Sequence, residues 1–298
     1  MPEFVAASWN ASLPRERARW CRGFAHAVAA HQDELVDLIT REVHKPRWQA
    51  ITGDVLPLLA ACRWHEKHAS RVLSDVRATG RPWWMLGLRA RVRRAPLGTV
   101  GIIATWNYPV QLLGIQVVQA LMGGNRVIVK PSEHSPRTQA RLVELAQDGL
   151  PPGTLVALPG TRDAGPALLR DHTLDHVVFT GSTSVGRQIA AWAAERLVPT
   201  TLELSGSDSA IVLDDADPDL AARTLWACVV MNAGQTCMAP RRALVTRGVY
   251  RRFIGALAPL AAGGALLPLI SEGEARRTYE CLLAAQQAGG RGASGTID

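Results

Sequence analysis

One cysteine of this chain lies in a stretch whose residues suit nucleophilic chemistry. Cys237 stands in "VVMNAGQTCMAPRR" (229–242), between a segment typical of a helix and one typical of a strand. A thiolate held in a turn attacks electrophilic carbon when a general base and an oxyanion donor lie close to it. A buried core thiol is the alternative, so the rest of the chain must supply those groups.

Two polar side chains stand near the ends of apolar, strand-like segments. Glu203 stands between leucines in "TTLELSG" (200–206), where a carboxylate must face a crevice or be buried at a cost. A strand carboxylate in such a place is more often functional than structural. Asn107 follows another such segment in "TWNYP", and an Asx turn is its structural alternative.

Two further motifs stand at the ends of predicted strands. In "FTGSTSVG", Gly181, Ser182 and Gly186 open a predicted helix, whose free N–H groups and dipole can receive a pyrophosphate. An N-capped turn without a ligand explains this motif equally well. In "KPSE", Lys130 and Glu133 offer a cation and a carboxylate, although a lysine at a strand end also extends to solvent for purely structural reasons.

The elements that must position these groups follow from the hydrophobic pattern. Residues 14–75 have apolar positions at helical spacing, and from residue 96 strand, turn and helix alternate. Strands that are apolar on both faces predict an α/β fold with a Rossmann-like parallel sheet covered on both sides, and ligands bind beyond the carboxyl ends of such strands. The predicted strands are 99–105, 126–132, 153–160, 175–182 and 200–206.

Cysteine usage and the terminal sequence favour a cytoplasmic protein. The five cysteines among 298 residues are scattered and form no C-x-x-C pair, which argues against disulfides or a metal site and for a reducing compartment. The first ten residues show no secretory signal. The longest apolar stretch, 255–270, is short and is interrupted by Gly and Pro, so we expect no membrane span.

The formal net charge of +7 comes almost wholly from arginine. Only "RARVRRAP" (89–96) is densely basic, and no aromatic stacking motif accompanies it. A solvated strand or hairpin face is therefore favoured over a nucleic-acid site, and no nucleic-acid partner is expected.

Taken in order, the motifs of this chain resemble those of the aldehyde dehydrogenase superfamily over nearly all of residues 15–290. Each motif alone is moderately specific, and together they are strong. The resemblance implies an NAD-binding domain followed by a catalytic α/β domain. It rests on "PLGTVGIIATWNYP", "GGNRVIVKPSEHSP", "HVVFTGSTSVGR", "TLELSG", "AIVLDDADPD" and "NAGQTCMAPRR".

The resemblance implies a role for each catalytic candidate. Cys237 matches the nucleophile that attacks an aldehyde carbon. The Asn107 amide and the backbone N–H of Cys237 match the oxyanion donors. Glu203 matches the base that activates water to hydrolyse the thioester.

The resemblance also implies NAD as the cofactor. Lys130 and Glu133 match the ribose-binding positions, and a carboxylate at Glu133 repels a 2′-phosphate, which favours NAD over NADP. The complete set of expected cofactor contacts is Trp106, Lys130, Ser132, Glu133, Gly181, Ser182 and Gly186.

The chain departs from the family pattern in two places. Ser205 and Ser207 replace a glycine and a frequent lysine after the base, and we expect Ser205 to be tolerated because Gly206 remains. After Cys237, no E-x-F-G-P motif follows. We therefore expect an NAD-binding domain at 1–203 and a partial catalytic domain at 204–298 with an open sheet. Such a chain is covered by a second copy or another partner, is marginally stable, or is a gene fragment.

The sequence thus predicts an NAD-dependent oxidoreductase that converts an aldehyde into a carboxylic acid. The alternative is a shortened, non-catalytic relative that binds nucleotide or a partner without turnover. A CoA-acylating enzyme is disfavoured, because family members that use CoA generally lack the base that Glu203 matches.

Overall fold

The computed structural model describes residues 9–80, 82–85, 87–264, 268–290 and 292. The chain forms two compact units. The first comprises Met1–Glu42 and Pro46–Leu204, and the second comprises Val43–Lys45 and Ser205–Asp298. The domain division expected from the sequence stays a prediction.

The first unit begins with helices, as the apolar spacing predicted. Their buried stripes pack together, with Phe24, Val28 and Leu58 excluded from solvent. Helix α1 begins at Pro14, whose fixed φ suits a first helical position. A turn of π-helix, Ile51–Val55, precedes the last of these helices. The helices are α1 (Pro14–Ala30), α2 (Gln32–Val43), α3 (Arg47–Ala50) and α4 (Leu56–Val72).

A short hairpin connects these helices to the sheet. Strand β1 (Val76–Arg77) pairs antiparallel with β2 (Arg91–Val92). Both strands are exposed, which confirms the solvated hairpin reading of the basic run 89–96.

The centre of the first unit is a parallel sheet, which confirms the predicted fold class. In the described part it has five strands in the order β5-β4-β3-β6-β7. Strands β3 and β4 are buried almost throughout, because helices cover both of their faces. The strands are β3 (Thr99–Ile103), β4 (Arg126–Lys130), β5 (Leu155–Ala157), β6 (His176–Gly181) and β7 (Thr200–Leu204), and the helices are α5 (Gln111–Met122), α6 (Pro136–Gln147), α7 (Ala164–Asp171) and α8 (Thr183–Arg196).

The expectation that the sheet is covered on both sides is wrong at its outer strand. Thr201 and Glu203 of β7 are exposed, and they alternate with partly buried leucines at positions 202 and 204. Among the described residues, Thr201 and Glu203 of this edge strand are thus exposed where the inner strands are buried.

The second unit is a small α/β layer. Strands β8 (Asp208–Val212) and β9 (Pro240–Val245) run parallel. Their inner face packs on a core that includes Val212, Leu225 and Phe253. On the other face the register partners Ile211 and Leu244 are 68% and 57% exposed, so in the described part this face is uncovered. The helices are α9 (Pro218–Val230), α10 (Arg247–Ala262) and α11 (Glu272–Gln287).

Candidate active site

Cys237 lies on a tight turn and not in a core. The amide of Ala239 donates to the carbonyl of Thr236 at 3.1 Å, which closes a turn with Cys237 at its second position. Thr236 and Ala239 are buried and anchor the turn, while Cys237 between them is exposed. The alternative of a core thiol is therefore wrong for Cys237.

The chain enters this turn through an unusual backbone. A short 3₁₀ segment, Met231–Gly234, follows α9, and within it Asn232 and Ala233 have φ values of 53° and 55°. Left-handed conformations cost non-glycine residues roughly 1–2 kcal/mol each, so the surrounding contacts must hold them. Gln235 contributes, since its Oε1 accepts the amide of Ile270 at 2.8 Å. This local bend reverses the chain between α9 and the Cys237 turn.

The glycine of the "ELSG" motif lies beside the Cys237 turn. A Cβ built on Gly206 would stand 3.8 Å from the carbonyl oxygen of Cys237. The pairing of Asp208 with Pro240 at the start of β8 and β9 brings these two segments together. Ser205 and Ser207, which depart from the family pattern, are both exposed.

Two other cysteines differ from Cys237 in their exposure to solvent. Cys21 and Cys62 are buried between α1 and α4. A hydrogen bond from Cys21 and burial raise the pKa of the Cys62 thiol. A thiol in that environment stays protonated and inert. Cys228 and Cys281 are exposed, as Cys237 is, and therefore offer matched thiols for comparison.

Asn107 lies in the loop that follows β3. Its Oδ1 accepts the hydroxyl of Thr105 at 3.3 Å and the amide of Tyr108 at 3.1 Å. These contacts hold the acceptor end of the Asn107 amide. Trp106 beside it meets the ring of His134 edge-on, with ring centroids 6.1 Å apart.

Two buried side chains that the sequence analysis missed hold this loop. Asp54 of the π-helical turn accepts the amides of Val110 and Gln111 at 3.1 and 3.2 Å, and thereby caps the start of α5. Gln139 of α6 donates to the carbonyls of Thr105 and Pro109. Neither residue belongs to a recognisable motif, because each acts on backbone groups distant in sequence.

Lys130 and Glu133 form an ion pair beyond the end of β4. Lys130 Nζ lies 2.8 Å from Glu133 Oε2, and the lysine side chain is 6% exposed, so the alternative of a lysine extending to solvent is wrong. Arg162 approaches the same carboxylate at 3.6 Å but is 88% exposed. Ser132 between them is buried, and its hydroxyl accepts the amide of His134.

This pair controls the protonation of Glu133. Partial burial is the largest single influence and raises the pKa of Glu133, but the hydrogen bond from Lys130, a backbone hydrogen bond and the charges of Lys130 and His134 together outweigh it, and the pKa falls to about 2. Because the folded pKa is depressed, the pair stabilises the fold above the ordinary glutamate pKa of about 4.3, and this contribution is lost as the pH falls toward 2.

Replacing Lys130 with methionine is expected to raise the pKa of Glu133 toward the ordinary value, because desolvation is then opposed by neither the hydrogen bond nor the charge of Lys130. A carboxyl-carbon NMR titration of the two proteins measures this shift. The matched change Arg162→Met, which removes the exposed cation, should move the pKa far less. Equal shifts in both variants would contradict the assignment to Lys130.

The glycine- and serine-containing turn joins β6 to α8. Ser182 is the N-cap of α8, and its hydroxyl accepts the amide of Val185 at 3.4 Å. Gly186 is buried, and a Cβ there would stand 2.5 Å from Leu204, so helix–strand packing explains this glycine. A Cβ on Gly181 would stand 2.5 Å from the Phe179 ring. The capped turn therefore exists, and its role toward a ligand stays a prediction.

The hydrogen-bonding groups at the strand ends of the first unit suit a dinucleotide. A ribose diol needs an acceptor and a donor side by side, and Glu133 and Lys130 supply them. A pyrophosphate needs amides at a helix N-terminus, which the start of α8 at Thr183 supplies. Since strands β3, β4 and β6 are parallel neighbours, their following loops share one edge of the sheet.

Glu203 lines an open cavity of about 280 Å³ on the uncovered face of β6 and β7. The same cavity is lined by Gln116 of α5 and Thr201. Gln116 Nε2 donates to Thr180 Oγ1 at 2.8 Å, and Thr180 is the register partner of Glu203. The carboxylate thus lines a crevice, and its catalytic role stays a prediction. The meeting of Glu203 and Asn107 with Cys237 stays a prediction.

A model of the aldehyde dehydrogenase family matches residues 3–289 of this chain. The chain belongs to the aldehyde dehydrogenase family. The mitochondrial succinate-semialdehyde dehydrogenase of Arabidopsis thaliana is 38% identical over 248 residues, which cover 83% of this chain and 46% of that protein. Geranial dehydrogenase of Castellaniella defragrans is 36% identical over 252 residues, covering 84% of this chain and 52% of that protein.

A solved aldehyde dehydrogenase also shares the fold. The Mycobacterium tuberculosis aldehyde dehydrogenase complexed with NAD⁺ superposes with a TM-score of 0.88 at 30% identity, over 95% of this chain and 60% of that structure. The family member described here thus spans about half the length of the curated relatives it matches. Among its described helices, none combines the length and the apolar character needed to cross a bilayer.

Proposed function

We propose that this aldehyde dehydrogenase family member oxidises an aldehyde to a carboxylic acid with NAD, using Cys237 as the nucleophile. The observation that carries the proposal is the exposed thiol of Cys237 on its anchored turn, in a chain that the family model matches over residues 3–289. Oxidation through a covalent thiohemiacetal needs such an accessible thiol, because the reacting carbon must approach the sulfur directly.

The proposed reaction begins at the sulfur. The Cys237 thiolate attacks the aldehyde carbon, a C–S bond forms, and the carbonyl electron pair moves to oxygen. The Asn107 amide and the backbone N–H of Cys237 stabilise this oxyanion.

Bound NAD supplies a hydride acceptor. As the oxyanion collapses to a thioester carbonyl, the former aldehyde hydrogen leaves with its electron pair. Glu203 then takes a proton from water, whose oxygen attacks the thioester carbon, and the Cys237 thiolate departs. One aldehyde, one NAD⁺ and one water thus give a carboxylic acid, NADH and a proton.

For cofactor binding we assign the ribose to Lys130 and Glu133 and the pyrophosphate to Ser182 and the amides that begin α8. The ionised Glu133 carboxylate disfavours a 2′-phosphate and so favours NAD. Trp106, Ser132, Gly181 and Gly186 complete the proposed contacts. Support comes from the donor set of these residues and from the related Mycobacterium tuberculosis enzyme, which was solved with NAD⁺.

The first experiment mixes the purified protein with NAD and a panel of aldehydes that includes short acidic and long apolar members. The two kinds represent succinate semialdehyde and geranial, after which two relatives are named. NADH absorbance measures turnover, and calorimetry measures NAD binding. NADH formation supports the proposal. NAD binding by a folded sample without NADH formation supports the non-catalytic alternative.

Replacing Asn107 with alanine is expected to lower kcat by about 10²–10³-fold, because one oxyanion donor is lost. NAD affinity should change little, since the proposed ribose contacts are untouched. Steady-state kinetics and an NAD titration measure the two effects. Asn125→Ala, which alters a different buried asparagine of the first unit, is the control, and an equal loss of kcat there would reject the oxyanion role.

A further inference from the structure

A buried glutamine connects the two loops that carry the proposed oxyanion donor and the proposed ribose contacts. Gln139 of α6 is 0% exposed. Its Nε2 donates to the carbonyl of Thr105 at 2.7 Å and to the carbonyl of Pro109 at 3.3 Å. Its Oε1 accepts the amide of Ser132 at 2.6 Å. One neutral side chain therefore satisfies three backbone groups from the loops after β3 and β4.

The chemistry of these partners determines which way the amide points. A backbone N–H requires an acceptor and two carbonyls require donors, so only the observed orientation of the Gln139 amide satisfies all three groups. Isosteric side chains lack one function or the other. A leucine supplies neither, and a carboxylate supplies the acceptor for Ser132 but no donor for Thr105 and Pro109.

The two carbonyls lie on either side of Asn107, each two residues away. Gln139 thus holds both ends of the short loop that carries Asn107. Through Ser132 it also holds the loop whose neighbouring residues, Lys130 and Glu133, form the ion pair.

We propose that Gln139 is a positioning residue that fixes the Asn107 loop relative to the cofactor loop. The inference rests on the proposed function, because it gives Asn107 and the Lys130–Glu133 pair their tasks. An oxyanion donor must stand within a few tenths of an ångström of its place, so a loop released at both ends loses catalysis even when the fold persists.

The variant Gln139→Glu separates the two functions of this side chain. It retains the acceptor for Ser132 and replaces the donor to Thr105 and Pro109 with a second oxygen. A buried carboxyl has a raised pKa, so at lower pH it is protonated and its O–H can again donate to a carbonyl. The neighbouring charged groups are the same in parent and variant. They are Glu42 of α2, which accepts the amide of Thr138 in the first turn of α6, and the Lys130–Glu133 pair.

The matched control is Gln147→Glu. Gln147 lies on the same helix and also donates through Nε2 to a backbone carbonyl, that of Leu155, at 3.0 Å. It therefore experiences the same chemical change at a site that contacts neither loop.

Two quantities are measured. The first is the single-turnover rate of NADH formation between about pH 6 and about pH 9, and the second is the Kd for NAD. Gln139→Glu is expected to lower the rate by about 10- to 100-fold at the alkaline end, with partial recovery toward the acidic end relative to the parent. The Kd for NAD should stay within about twofold, and Gln147→Glu should match the parent at every pH. A loss that is the same at every pH, or an equal loss in the control, would overturn the proposal.

Hydrogen exchange at one fixed, alkaline pH distinguishes failure of this inference from failure of the proposed function. Exchange in segment 105–110 should be faster in Gln139→Glu than in Gln147→Glu, while the Ser132 amide stays protected. If the parent makes no NADH, the proposed function fails, and this comparison still tests Gln139. Equal exchange of segment 105–110 in the two variants would overturn the positioning role.

Discussion

Replacing Cys237 with serine is expected to abolish aldehyde-dependent NADH formation, with a loss of at least about 10³-fold in kcat. An unactivated hydroxyl is a far weaker nucleophile than a thiolate, and removal of a nucleophile leaves only what binding and the oxyanion site contribute. The substitution changes one exposed atom on an anchored turn, so the fold and NAD binding should be unaffected. Absorbance assays and an NAD titration on the same preparation measure both quantities.

The other exposed cysteines provide the controls for this experiment. Cys228→Ser and Cys281→Ser also remove an exposed thiol, but neither residue lies on the Thr236–Ala239 turn. Both variants should turn over as the parent does. Turnover that survives in Cys237→Ser, or that is lost equally in all three variants, would show that this turn does not hold the nucleophile.

Replacing Glu203 with glutamine is expected to divide the reaction into its two halves. Hydride transfer needs no base at this position, so one equivalent of NADH should still form rapidly on mixing. Hydrolysis of the thioester should then slow by about 10²–10⁴-fold, because the amide cannot take the proton from water. Stopped-flow absorbance gives the amplitude of the burst, and mass spectrometry of the quenched protein detects the acyl group on Cys237.

Glu195→Gln is the matched control for Glu203, since it neutralises an exposed carboxylate of α8 that pairs with Arg196. It should show neither a burst nor a slower steady state. Loss of the burst itself in Glu203→Gln would place this carboxylate in the first half-reaction. If the parent turns over only when CoA is added and releases no free carboxylic acid, acyl transfer to CoA would be favoured over the proposed hydrolysis.

Several strands, the Lys130–Glu133 ion pair and a helix cap follow from local sequence pattern. The β-branched runs at 99–103 and 126–130 specify buried parallel strands, because each is apolar on both faces and is followed by an amphipathic helix. The position of Lys130 and Glu133 three residues apart places them in one strand-end segment, so their ion pair is a local event. The same holds for Ser182, which caps the helix that it precedes.

Other features depend on contacts between segments distant in sequence. Asp54 and Gln139 reach the Asn107 loop from distant parts of the chain, with sequence separations of 56 for Asp54 to Val110 and 34 for Gln139 to Thr105. Their partners are backbone groups, which carry no residue identity. No pattern in a single sequence therefore points to them.

The sequence by itself determined the α/β architecture, the family and the order of the candidate residues along the chain, because strand periodicity and motif spacing are local properties. Only the tertiary structure decided that Cys237 is exposed on an anchored turn, that Lys130 is buried in an ion pair, and that the Glu203 face of β7 is open. Exposure and pairing depend on which segments pack together. That packing is a sum over many distant contacts that no local pattern encodes.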